Sequence, residues 1–309
     1  MKQRPYYRQA KIIENLKLRA KLIQAVRDFF TENGYLEVET PVRLPSLAPE
    51  VHIDPVESSE WFLQTSPEIC MKRLLAAGYD RIFQICKCFR KGERGRKHVP
   101  ELTMLEWYRK GADYNILMDE TEALVKFVAE RLGSIKTVSF DGHEVNISGD
   151  WQRITVNQAY EKYSEISASE ALKNDRFDEI MGLEIEPNLG TKAPCFLHDY
   201  PSSCAALSRI SKKDPSVAER FELYIAGLEL CNAFSELTDH VEQRQRFEAD
   251  FEERMKTGKI TAPIPEKFLE SLPMMPVSAG CALGIDRLVM LFAGASDIDS
   301  VVSFTPEEL

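Results

Sequence analysis

Two apolar stretches, RIFQICKCF at 81–89 and ELTMLEWYR at 101–109, flank a single charged loop, and no other feature constrains the fold of this chain as much. Both are rich in β-branched or aromatic residues, and together they predict a long antiparallel hairpin. A second pair, RFELYI and LELCNAF, is joined by Ala226-Gly227, and a further strand signal lies at CFLHDY. Strands paired through hairpins rather than βαβ crossovers imply an α+β fold, a mainly antiparallel sheet with helices packed on it.

Helical patterns fill much of the remainder. Ile12, Ile13, Leu16, Ile23, Val26, Phe29 and Phe30 recur at roughly helical spacing from about 9 to 33, ending at Asn33-Gly34, so a long amphipathic helix is expected first. The segment YLEVET behind it alternates like a strand and is closed by Pro41. Ser66-Pro67-Glu68 reads as an N-cap, a proline at the first helical position and an acid in the first turn. Further helices are expected over about 114–132 and 241–256, followed by a Gly280 to Gly284 turn and a helix DRLVMLFAG. The whole chain of 309 residues reads as one domain, with an insertion or connector at about 134–180 built around an Asp141-Gly142 turn.

Bulk properties exclude several function classes. The net charge of −10 argues against a surface built to hold a polyphosphate backbone. No apolar run has the length of a leader or a membrane span, so a cytoplasmic protein is expected, with no membrane attachment. The seven cysteines, of which only Cys86 and Cys88 are close in sequence, show neither a CxxC pair nor a disulfide pattern and read as reduced thiols.

Three segments concentrate charge. In the hairpin loop, Arg90, Lys91, Arg94, Arg96, Lys97 and His98 surround the single acid Glu93. An arginine at a strand-loop junction can grip phosphate oxygens with both arms of its guanidinium. In the second hairpin, a two-residue turn at Ala226-Gly227 sets residue 224 opposite 229, which puts Glu222 and Glu229 on one face. Such a pair of carboxylates calls for a cation between them, and magnesium shared with substrate phosphates is the natural candidate. Glu236 lies an odd number of residues from Glu229 and reaches the same pocket only if a bulge intervenes. The third segment, Gly280-Cys281-Ala282-Leu283-Gly284-Ile285-Asp286-Arg287, offers a second arginine in the first turn of a helix, unless Arg287 simply pairs with Asp286.

In order and spacing these segments resemble the three signature motifs of class II aminoacyl-tRNA synthetases. The lysyl-tRNA synthetase subclass is most similar, through Ser66-Pro67-Glu68, Thr103 to Tyr108, Gly227-x-Glu229, Asn232 to Asp239 and Gly284-Ile285-Asp286-Arg287. The resemblance covers nearly the whole chain, but the first catalytic-domain helix begins near residue 9, with no anticodon-binding domain before it. In this the chain resembles the elongation factor P lysine ligase family, which activates lysine, preferably (R)-β-lysine, and transfers it to a lysine of elongation factor P.

The resemblance implies a class II synthetase-like fold, ATP and Mg2+ as cofactors, and a homodimer with elongation factor P as protein substrate rather than tRNA. It implies that Arg90 and Arg287 grip the ATP phosphates as the catalytic cations and that Glu222 and Glu229 hold magnesium. Glu93, His98, Leu102, Glu229, Leu230 and Gly284 would complete the ATP site. Ser66, Pro67, Glu68, Glu106, Tyr108, Asn232, Phe234, Glu236 and Ala282 would line the pocket for lysine or β-lysine, with no lysine or arginine among them. Ala282 stands where the synthetases have glycine, and its methyl narrows the space around the substrate α-carbon. The chain departs from the family at Lys91-Gly92, with the acid displaced to Glu93, at Val99 and at Leu102, which puts the adenine contacts in question. Two other readings are a lysine-adenylating enzyme with another acceptor, such as tRNA or a small amine, and a silent paralogue that senses an amino acid or nucleotide. For an acceptor protein, Lys91, Arg94, Arg96 and Lys97 would suit an acidic partner or simply form a solvated face.

Overall fold

A computed structural model describes residues 7–309; residues 1–6, part of the N-terminal stretch read for a leader, lie outside the described residues. Eight strands form the main sheet: β1 (Leu36–Glu37), β2 (Arg81–Phe89), β3 (Glu101–Lys110), β4 (Gln152–Thr155), β5 (Cys195–Pro201), β6 (Val217–Ile225), β7 (Leu228–Ser235) and β8 (Ser278–Gly284). Their order across the sheet is β1-β2-β3-β8-β7-β6-β5-β4. Every inner pairing is antiparallel, and only the outermost pairs, β1 with β2 and β4 with β5, run parallel. Both expected hairpins are present: Phe89 faces Glu101 across the charged loop, and Ala226-Gly227 turns with φ of 54° and 69°, the left-handed pair a tight hairpin prefers.

Alternation along the strands splits the sheet into two chemically different faces. Phe83, Leu105, Trp107, Cys281, Ala233 and Phe221 project into the main apolar core. Covering them are three helices, α1 (Ile13–Glu32), α2 (Tyr114–Arg131) and α3 (Ile285–Ala293). The long N-terminal helix is interrupted at Ile12, which separates a short turn over Arg8–Lys11 from α1. Asp113 caps α2, its carboxylate accepting the Asn115 and Ile116 N–H groups at 3.0 Å, which stabilises the helix by about 1 kcal/mol. Gly294, at φ 61°, closes α3.

Residues 137–146 form a hairpin around Asp141-Gly142 whose Val138, Phe140 and Val145 join the main core. Residues 152–155 then supply the edge strand β4, and short helices over 156–188 pack their own apolar cluster onto Cys195, Leu197, Tyr200 and Tyr224 of the sheet.

One expected element is corrected. Gly280 to Gly284 is not a turn but the last five residues of strand β8, paired with β3 and β7. Gly280 is there because Tyr108 lies over it: a Cβ at 280 would sit 2.2 Å from Tyr108 Cε1.

Candidate functional site

The face of the sheet opposite the main core is polar at its centre. Register aligns Gln84, Glu106, Ala282, Asn232 and Glu222 in one row across five strands, with Tyr108, Gly280, Phe234 and Arg220 in the next. In β7 the pairing slips by one residue, since Tyr224 faces Glu229 whereas Leu223 faces Cys231. The extra residue is Leu230. It and Cys231 both point into the core, so parity reverses between Glu229 and Asn232. This is the bulge Glu236 needed: Glu229, Asn232, Phe234 and Glu236 share the polar face. Leu230 itself is 2% exposed, and its side chain belongs to the core.

At one end of this face carboxylates gather. The helix Glu68–Ala76 lies over it, and Ser66 Oγ accepts the Glu68 N–H at 3.0 Å while donating to Glu106 Oε1 at 2.5 Å. Pro67 holds the turn between them as the N-cap residue. Tyr108 donates its hydroxyl to Glu106 Oε2 at 2.8 Å. Burial, reinforced by the Glu68 charge, pushes the Glu106 carboxyl up to about 8. Glu236 is as deeply buried, which raises its carboxyl too, and its Oε1 has no hydrogen-bond partner among the described residues.

Lys72, which is not among the positions read from the sequence, stands between these acids. Its ammonium lies 2.5 Å from Glu68 Oε1 and 2.5 Å from Glu236 Oε2, and the residue is 1% exposed. Burial alone would depress its pKa, but the two carboxylates more than offset that and keep it charged. The sequence signal was the four-residue spacing from Glu68 on a helix announced by Ser66-Pro67. Glu50 was also missed. Half-buried near Arg90 and Glu68, its carboxyl is pushed up to about 7, chiefly by burial.

Cations gather at the other end. Arg90, just beyond β2, has a buried Nε without a hydrogen-bond partner among the described residues, and Glu93 is 3.8 Å away. Arg287 pairs not with Asp286 but with Glu229, donating Nη1 to its Oε2 and its backbone carbonyl at 2.9 Å. Asp286 instead meets Arg19 at 2.6 Å and accepts the Thr103 N–H at 2.7 Å, fixing the start of α3 to α1 and β3. Arg287 Nη2 donates to His98 Nε2 at 2.5 Å, so that nitrogen carries no proton. Burial and the charges of Arg287, Arg90 and Lys97 hold the imidazole down to about 4. Burial and Arg287 likewise lower the Lys97 pKa. Gly284 caps α3 beside Arg287, and Leu102 of β3 is half-buried with its side chain packed against the main core.

The other basic loop residues are directed elsewhere. Arg94 pairs with Asp299 and Glu307, and Arg96 with Asp141, so their acidic partners belong to this chain. Gly92 takes φ 78°, and Val99 is buried in the core, so backbone geometry and packing account for both.

Between the two ends lie Glu222 and Glu229. Glu222 accepts from Arg220 Nη2 at 2.5 Å and from the Tyr224 hydroxyl at 2.7 Å, and Arg220 Nε also reaches Asn232 Oδ1 at 3.2 Å. Glu186, another residue missed, is pushed up to about 7 by burial and then by Glu222 and Glu229. Its turn is strapped to the β6-β7 hairpin by the Ala226 and Gly227 N–H groups. Nothing in the sequence around 186 signals this proximity.

Residues 3–308 match the family described as tRNA synthetases class II (D, K and N). The chain belongs to that class II family. Among curated relatives, elongation factor P–(R)-beta-lysine ligase of Vibrio cholerae is 40% identical over 309 residues, covering 94% of this chain and 95% of the relative. The proteins of the same name from Salmonella gallinarum and an Enterobacter species are 40% and 39% identical, each covering 95% of both chains. The class II assignment agrees with the antiparallel sheet and flanking helices, and the α+β expectation stands. Among the described residues no helix is long and apolar enough to cross a membrane.

Proposed function

We propose that this class II chain activates lysine, with (R)-β-lysine preferred, as an aminoacyl-adenylate and ligates it to a lysine side chain of elongation factor P. The observation that carries the reading is the polarity of one cleft. Arg90, Lys97, His98 and Arg287 converge at one end, and the buried Glu106 and Glu236 with the half-buried Glu68 at the other. A triphosphate suits the first, and the two ammonium groups of a diamino acid suit the second, because buried ammonium requires carboxylate partners. The names of the relatives give the same substrates.

In the first step a substrate carboxylate oxygen attacks the α-phosphorus of ATP and the bond to pyrophosphate breaks. The nucleophile is already ionised, so the protein's work is to align two anions and neutralise the charge that builds on the phosphoryl oxygens. Arg90 and Arg287 do this, and neutral His98 donates once an anion draws a proton onto it. In the second step the acceptor amine attacks the carbonyl carbon, AMP leaves and the amine gives up a proton.

Glu222 and Glu229 would hold Mg2+. Two carboxylates completed by phosphate oxygens form an ordinary magnesium donor set, and the mutual repulsion among Glu222, Glu229 and Glu186 fits a cation between them. When bound, it supplies charge neutralisation at the phosphates. Asn232, Phe234 and Ala282 line the amino-acid end, and Leu102, Glu93, Gly284 and the backbone at Leu230 the nucleotide end. A cytoplasmic homodimer belongs to the same reading, with Val42 and Met274 exposed around an open hollow lined by Pro41, Leu44 and Leu74 to receive a second copy. ATP-pyrophosphate exchange with L-lysine and (R)-β-lysine, followed by the mass of elongation factor P, tests the proposal. Exchange favouring the β isomer and a mass gain on the factor are expected, and no exchange with either isomer overturns it.

A further inference from the structure

Three glutamates, Glu106 and Glu236 buried and Glu68 half-buried, face a substrate that brings two ammonium groups, so the pocket carries one carboxylate more than its cargo can neutralise. Lys72 supplies the missing charge. Its ammonium bridges Glu68 and Glu236 at 2.5 Å each, it is 1% exposed, and it lies 5.9 Å above the Phe234 ring.

We propose that Lys72 is a positioning and specificity residue: it cancels one of the three glutamate charges and so sets the pocket to accept a doubly cationic amino acid. This rests on the reading of a diamino acid substrate given above. In the occupied pocket, with Lys72 charged and the three glutamates ionised as the bound ammonium groups displace their protons, the protein side carries a net charge of −2, which the two ammonium groups of a diamino acid bring to zero. A monoamino acid would leave one buried negative charge uncompensated. Geometry adds to the charge count, because Lys72 takes Glu236 Oε2 and leaves Oε1, which has no hydrogen-bond partner among the described residues, turned toward Tyr108 and Gly280. The same ammonium ties the helix carrying Glu68 to the sheet end carrying Glu236, fixing the width of the pocket.

The charged and titratable groups facing this centre are Glu68 on the overlying helix, Glu106 and Tyr108 on β3, Glu236 after β7 and Cys86 on β2; Glu50 on the preceding loop reaches only Glu68 of these and has Arg90 as its own counter-charge. Removing the only cation among them raises the affinity of the remaining acids for protons, so an uncharged residue at 72 weakens binding of a dication most at low pH.

The test compares wild type with Lys72→Met, Lys72→Gln and Lys72→Arg by ATP-pyrophosphate exchange with both lysine isomers as a function of pH. Lys72→Met and Lys72→Gln are expected to raise the amino-acid KM at least about tenfold at neutral pH and to move the acid limb of kcat/KM upward by about one pH unit or more. The KM for ATP should stay within about threefold in both, which also reports that the protein is folded, and Lys72→Arg should recover most of the loss. An exchanging wild type whose uncharged variants keep the amino-acid KM and the acid limb overturns this proposal alone. So does a loss of ATP and amino-acid affinity in equal measure that Lys72→Arg does not rescue. A wild type silent with both isomers overturns it together with the substrate reading.

Discussion

A single methyl group at Gly280 should disable the amino-acid end of the cleft and spare the nucleotide end. A Cβ there would lie 2.2 Å from Tyr108 Cε1, 2.3 Å from Cδ1 and 2.6 Å from Glu236 Oε1, whereas ordinary contact begins at 3.4 Å. The Tyr108 ring is 3% exposed, so it cannot swing into solvent and must be displaced by about 1.2 Å. Its hydroxyl is held to Glu106 Oε2 at 2.8 Å, and a displacement of that size breaks the bond. A hydrogen bond to a charged or titrating carboxyl contributes about 1.5–3 kcal/mol, which corresponds to about 10- to 150-fold in kcat/KM for the amino acid. Overpacking should also cost about 1–3 kcal/mol of stability, a melting decrease of several degrees. Arg90, His98 and Arg287 do not touch Tyr108, so the KM for ATP should hold. The assay is ATP-pyrophosphate exchange with each substrate varied in turn, alongside a thermal melt, on Gly280→Ala, Tyr108→Phe and the double variant. If the methyl acts by breaking the hydroxyl contact, the two changes should not be additive. Gly280→Ala with wild-type amino-acid KM and melting temperature would refute the reasoning.

Four other outcomes follow from the same geometry. Arg287→Ala removes the partner of both His98 and Glu229, and exchange should fall by at least about a hundredfold in kcat, measured at saturating ATP. His98, held down to about 4 by burial and neighbouring cations, should titrate well below 6.5 in the free protein and move upward when ATP binds, as followed by NMR of its ring protons. Because folding raises Glu106 to about 8, its contribution to stability is present below about 4.5 and lost as pH climbs toward 8; lysine binding at pH 7 should release protons, detected by calorimetry in buffers of different ionisation enthalpy. Ala282→Gly opens the row between Glu106 and Asn232 by one methyl, and the ratio of exchange with L-lysine to that with (R)-β-lysine should rise by about tenfold.

What the sequence disclosed and what it withheld divide along the third dimension. The hairpins were legible because strand composition and turn residues act over a few positions, and register then delivers Glu106, Asn232 and Glu222 to one row. Glu236 was half-legible. Parity showed that a bulge was required, but its place at Leu230 depends on two consecutive residues both finding room in the core, which no alternation pattern encodes. The Gly280 to Gly284 stretch was misread as a turn because glycine usually marks one. Here glycine answers the bulk of Tyr108 on the neighbouring strand, a reason that exists only once the strands are paired. Lys72 and Glu186 were missed because both reach the cleft from segments laid over the sheet, a helix in one case and a strapped turn in the other. Counting acids along the sheet therefore overestimated the negative charge offered to the substrate. The count becomes chemically balanced only when the covering helix is included, and it is this covering layer, more than the sheet beneath it, that decides which amino acid the cleft can hold.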